Sequence, residues 1–130
     1  MRRLINIFLV FFASACIVSC GKAGEDIYSV VTLKASAGDA GLVAIKVDNS
    51  LDGNFFRNLN TGEEYEYPLF TNGTCTMRVL KGVYIFAFDG SATLSDGTVR
   101  KVRCYAHRSP NDSVNILADE LTLEFDLLLL

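Results

Sequence analysis

Glu63–Phe88 reads EEYEYPLFTNGTCTMRVLKGVYIFAF, and its rhythm decides the fold. Within Glu63–Phe70, Tyr65, Tyr67 and Leu69 fall on one face of an extended chain and Glu64 and Glu66 on the other. Pro68 has no amide donor, which places that strand at a sheet edge. Thr71-Asn72-Gly73 is a turn signal, and Thr74–Leu80 then alternates again, with Cys75, Met77 and Val79 on one face. Lys81-Gly82 leads into Val83–Phe88, which is apolar on both faces and so predicts a central strand.

The same period of two runs outward in both directions. Toward the N-terminus, strands are predicted over Ile27–Lys34, Leu42–Asp48 and Phe55–Leu59. In the second of these, Val43, Ile45 and Val47 share a face. Ala35–Gly41 is a loop between the first two, and Asp52-Gly53 is a hairpin-type turn. Toward the C-terminus, Asp89-Gly90 and Asp96-Gly97 bracket a short strand, Ser91–Leu94. Thr98–His107 follows with Val102, Cys104 and Ala106 inward, then the loop Arg108–Asp112 and a short strand Ser113–Ala118. Leu121–Leu130 closes the chain, with Leu121, Leu123, Phe125, Leu127 and Leu129 on one face. The residues between Leu127 and Leu130 are all leucine, so this strand either lies centrally or meets a partner. No run carries apolar residues at helical spacing between caps. Eight or nine short strands fit a sandwich or an open barrel, and the expectation is an all-β protein, a single antiparallel β-sandwich over 27–130.

The first 26 residues belong to another class. Arg2 and Arg3 precede an apolar run from Leu4 to Ala15 broken only by Asn6 and Ser14. Twelve helical residues rise about 18 Å, short of a hydrocarbon core of about 30 Å. Residues 1–19 therefore read as a signal peptide rather than a membrane span. Ile17-Val18-Ser19-Cys20 resembles the lipobox of bacterial lipoproteins. The resemblance implies that Cys20 becomes the first residue of the mature chain and carries the lipid. The other reading is an ordinary secretory signal cut near Ala13 or Ala15. Two or more acyl chains hold a protein stably, where one holds marginally. Gly21 rather than Asp follows Cys20, which in the Gram-negative family points to the outer membrane or cell surface. Residues 20–26 then form a lipidated cysteine with a short flexible tether.

Of 130 residues, 12 are basic and 15 acidic, for a net charge of −3, and 50% are hydrophobic. That composition excludes a disordered chain, and the charge gives no footprint for nucleic acid. Loss of residues 1–19 takes away two arginines and leaves 111 residues at a net charge of −5. Anionic headgroups repel such a body, so it should hang from its anchor.

Gly73–Phe88 also resembles the strand pattern of transthyretin-like and carboxypeptidase-regulatory-like sandwiches, many of which sit on lipid-anchored envelope proteins of Bacteroidetes-type bacteria. A strand ending in Gly before an apolar-Tyr strand carries the likeness. It covers about a sixth of the mature chain. It implies a non-catalytic accessory or adhesion module.

Cys16 leaves with the signal and Cys20 is lipidated, which leaves Cys75 and Cys104. Beyond the inner membrane these two invite a disulfide closing 28 intervening residues, with a pair of buried free thiols as the alternative. Cys104 and His107 stand at Cys-x-x-His spacing, but on a strand they point to opposite faces, so no metal site is expected. His107, Ser109 and Asp112 are crowded locally, whereas catalytic triads draw their members from distant elements. Glu63, Glu64 and Glu66 read as a solvated face that blunts an edge rather than as paired catalytic carboxylates. Between Asp89-Gly90 and Asp96-Gly97 the oxygen ligands are too sparse for a calcium loop. Asn72-Gly73-Thr74 and Asn111-Asp112-Ser113 match the glycosylation sequon but read as turns. No catalytic residue, metal or cofactor is therefore expected. Flat faces for stacking on sugars are sought among the tyrosines and Phe55 and Phe56, foremost Tyr65, Tyr67 and Tyr105. The expected function is a lipid-anchored envelope binding or adhesion module, accessory to glycan capture. The alternative is an assembly component that engages another envelope protein by edge-strand pairing.

Overall fold

A computed structural model describes residues 27–104 and 112–130. The expected signal peptide 1–19, Cys20 and its tether, and Tyr105, Ala106 and His107 lie outside the described residues. Within them the chain forms nine strands: β1 Tyr28–Ser36, β2 Leu42–Val47, β3 Phe55–Asn58, β4 Phe70–Thr71, β5 Thr74–Leu80, β6 Gly82–Leu94, β7 Val99–Cys104, β8 Val114–Ile116 and β9 Glu120–Leu129. The all-β expectation holds. The sandwich expectation is met only roughly: the sheet runs β2-β4-β5-β1-β9-β7-β6, and a further β2–β6 pairing closes it into a seven-stranded barrel rather than two clear layers.

Closure also overturns the wholly antiparallel reading. Around a ring of seven strands, direction cannot alternate perfectly, and one neighbouring pair must run the same way. That pair is β1–β9, in register from Val30↔Glu120 to Ser36↔Asp126. β9 thus lies between β1 and β7, paired with β1 over Glu120–Asp126 and with β7 over Leu127–Leu129. Of the two expectations for the leucine-rich strand, central placement is the one found.

β6 is longer than any strand expected there and organises the rest. Its second half pairs with β2 (Val47↔Gly90) and β7 (Phe88↔Cys104). Its first half pairs with β3 (Phe55↔Ala87) and β8 (Tyr84↔Val114). Along each edge of β6 one strand hands over to another near Phe88–Asp89. Asn54 bridges one gap: its side-chain amide donates to Asp89 O at 3.2 Å, and its oxygen accepts from Asp89 N at 2.9 Å. Asp89-Gly90 is therefore mid-strand and not a turn. Gly90 is needed because β2 comes close; a Cβ there would lie 2.9 Å from Lys46 O. Nor do β2 and β3 form a hairpin across Asp52-Gly53, since both pair with β6. Asn72-Gly73 does turn β4 into β5, with φ of 53° and 81°, the left-handed pair of a type I′ turn.

The strand expected over Glu63–Phe70 shrinks to Phe70–Thr71 with one bridge, Arg57↔Glu64. Tyr67 leaves the backbone ladder and is held by a side chain instead. Asn49 accepts from Tyr67 N at 2.8 Å and donates to Tyr67 O at 3.0 Å. In β2 a register shift between Leu42 and Ala44 turns Val43 outward, so Val43 does not share the buried face of Ile45 and Val47.

Inward residues from every strand form one core. Aromatic rings dominate its middle. Phe88 sits 4.8 Å from Tyr67, 5.6 Å from Phe70 and 5.9 Å from Phe125 between centroids. Phe56 lies 5.0 Å from Tyr84 and 5.6 Å from Phe86. Such contacts add about 0.5–1.5 kcal/mol each to the burial of the rings.

Candidate functional site

Of the tyrosines expected to form a binding platform, Tyr65 and Tyr67 are not displayed together on the surface. Tyr67 is 5% exposed, and its hydroxyl donates to Phe55 O at 2.5 Å. Burial drives its ionisation well above the usual tyrosine range. It is a core residue and offers no face to a ligand. Tyr65 is half-buried; its hydroxyl donates to Glu63 at 3.3 Å and accepts from Leu80 N at 3.1 Å. Tyr84 is fully buried, and Tyr105 lies outside the described residues.

Cys75 and Cys104 are buried thiols rather than a disulfide. The register gives the reason. Cys75 pairs with Leu33 on β1, which pairs with Leu123 on β9, whereas Cys104 on β7 pairs with Leu127 of β9. The two are three strand spacings apart around the wall, on the order of 14 Å along the sheet. A disulfide needs Cα atoms within about 7 Å. Burial pushes the Cys75 thiol up to about 12, so it is a poor nucleophile.

A concavity lies on the outer wall, where β2, β6 and β7 lie side by side. It is an open groove of about 790 Å³, within the roughly 300–1,000 Å³ range of small-ligand clefts. Alternation along each strand decides what points into it. Phe88 and Ala92 face the core, so Asp89, Ser91 and Thr93 face out. Lys46 and Lys101 are the partners of Ser91 on either side, so Lys46, Ser91 and Lys101 form one row across three strands. In the next row Asp89 and Arg103 are paired, with Nε at 2.8 Å and Nη2 at 2.9 Å from the two carboxylate oxygens. Asp48 closes one end. Its carboxylate accepts from Ser50 N at 3.0 Å and Ser50 Oγ at 2.6 Å, which with nearby Lys46 holds its pKa below the usual aspartate value. Leu51 and Leu130 line the margins, both about half exposed.

Among the described residues, Lys46 and Lys101 form no ion pair, and the Ser91 hydroxyl makes no hydrogen bond. The sequence shows Lys46, Ser91 and Lys101 only as polar positions in three separate strands. Ser91 and Lys101 meet across the β6–β7 hairpin that Asp96-Gly97 signals, but the β2–β6 pairing that adds Lys46 is long-range, and no local signal carries it. Among the described residues, no group of three His, Cys, Asp or Glu stands close enough to hold a metal ion. Comparison with protein families, curated proteins and solved structures finds no match to this chain.

Proposed function

We propose that this chain is a lipid-anchored envelope binding module without catalytic activity, tethered through Cys20 to the outer membrane or cell surface of a Gram-negative bacterium. Its role on this reading is accessory to glycan capture. One observation carries the binding role. The barrel's middle is filled by its own aromatic rings, while an open polar groove lies on its outer wall. A ligand is then met on the surface, where side chains stay in water. An enclosed, dry site of the kind that strengthens electrostatic catalysis is not what this groove supplies. The binding surface moves accordingly from the tyrosines to the β2–β6–β7 wall. Ile17-Val18-Ser19-Cys20 supports the anchor, and the net charge of −5 on the mature chain speaks against nucleic acid as partner.

The alternative is an assembly component that pairs an edge strand with another envelope protein; β9 is the less favoured strand for it, since β1 takes Glu120–Asp126 and β7 takes Leu127–Leu129. A glycan array probed with the detergent-solubilised full chain separates the two. Saturable binding to a defined set of glycans is expected. Background signal across the array, together with a stable co-purified envelope protein, would favour assembly.

A further inference from the structure

We propose that Lys46, Ser91 and Lys101 clamp a single carboxylate, and that the glycan taken by the outer groove is a uronate, a sugar carrying one carboxylate per ring. This deepens the binding role given above and rests on it. The two lysines flank Ser91 in one row of the sheet. Their Cα atoms are two strand spacings apart, about 10 Å. Each lysine stem is long enough to span about half that distance, so both ammonium groups can reach a carboxylate placed above the Ser91 hydroxyl. Three donors then surround one point: two charged and one neutral.

The acidic groups nearby are otherwise engaged. Asp89 is bound to Arg103 through both oxygens, and Asp48 is bound to Ser50. They leave the lysine pair as the attractive centre of a chain whose mature charge is negative. They also set the ligand's chemistry. A segment with several carboxylates would be repelled by Asp48 and Asp89 at either side of the row. A ring with one carboxylate and several hydroxyls places its charge on the lysines and offers hydroxyl hydrogens to the two aspartates. Leu51 and Leu130 at the margins suit the C–H faces of a sugar.

The test is calorimetric titration of the detergent-solubilised full chain with three probes: a galactose oligomer ending in a single galacturonate, its methyl ester and the neutral galactose oligomer. The acid is expected to bind. Its ester and the neutral oligomer should bind at least about tenfold more weakly, the equivalent of one charge-assisted hydrogen bond. Lys46→Ala and Lys101→Ala should each weaken the acid by about tenfold, and Lys101→Arg, which keeps the charge, should retain most of the affinity. Lys34→Ala, in the Lys34–Glu124 pair of the β1–β9 wall, should leave binding unchanged. All three alanine replacements are at exposed positions, so unchanged melting temperatures check the fold. Affinity for the acid that survives both groove substitutions, or that ignores esterification, overturns the clamp. So does an absence of uronate binding. If neutral glycans still bind on the array, the clamp alone falls; if no glycan binds at all, the capture role falls with it.

Discussion

Asn58→Ala removes a buried polar side chain that makes three hydrogen bonds, without deleting an apolar group. Asn58 is fully buried. Its oxygen accepts from Asn60 N at 2.8 Å and Thr61 N at 3.1 Å, and its amide donates to the Tyr84 hydroxyl at 3.0 Å. That hydroxyl in turn donates a hydrogen bond to Leu80 O at 2.6 Å. The node ties the turn after β3 to the start of β6 and the end of β5. Truncation strands two backbone amides and one hydroxyl. Each orphaned buried group costs about 1–3 kcal/mol, less where water can reach it, so a loss of about 3 kcal/mol is expected. Against a total stability of about 5–15 kcal/mol that is a large share. Urea unfolding followed by circular dichroism measures it, with the midpoint falling and the slope unchanged. A double-mutant cycle with Tyr84→Phe should give a coupling of about 1 kcal/mol for the amide–hydroxyl bond. A loss below about 1 kcal/mol, or a coupling near zero, would refute the view that this node holds the barrel's extension.

The Ser29 hydroxyl is buried with no hydrogen-bond partner, so Ser29→Ala should raise stability by about 1 kcal/mol, read as a higher melting temperature; a clear drop would mean the hydroxyl is satisfied. Gly90→Ala would put a Cβ 2.9 Å from Lys46 O and should cost about 2 kcal/mol by prying β2 from β6; near-wild-type melting would show the wall yields there. With the Cys75 thiol pushed up to about 12, roughly one molecule in 10⁴ carries the thiolate at pH 8. Native protein should therefore resist iodoacetamide, and in urea without reductant both Cys75 and Cys104 should be alkylated; resistance to alkylation in urea would restore the disulfide.

What the sequence discloses and what it conceals follow from the range of the interactions involved. The alternation in Thr74–Leu80 survives intact, because burial of Cys75, Met77 and Val79 is a property of one strand against one core. Val83–Phe88 is central for the same reason, being apolar on both faces. Three expectations fail where a long-range contact overrides a local one. Asp89-Gly90 has the composition of a turn, but the glycine serves the close approach of β2 in a strand that runs straight through. Tyr65 and Tyr67 alternate as a strand would, yet Asn49 and the Tyr67 hydroxyl replace the ladder and draw Tyr67 into the core. The two thiols share an inward face in their strands, but barrel closure sets them on different parts of the wall. The asparagines at 49, 54 and 58 look like loop chemistry. Their actual work is to stand in for missing backbone partners, and a single sequence cannot say which partners those are. The groove was illegible for the same cause. Ser91 and Lys101 face each other across one hairpin, but Lys46 is far off in the chain, and only the β2–β6 pairing brings it into line with them.

The envelope role depends on the anchor, and the most direct measurement is the intact mass of the native protein extracted from membranes with detergent. A mature chain beginning at Cys20 and heavier by a diacylglyceryl group and an acyl chain is the expected result. A chain that retains residues 1–19, or one with an unmodified Cys20 recovered from the soluble fraction, would contradict it.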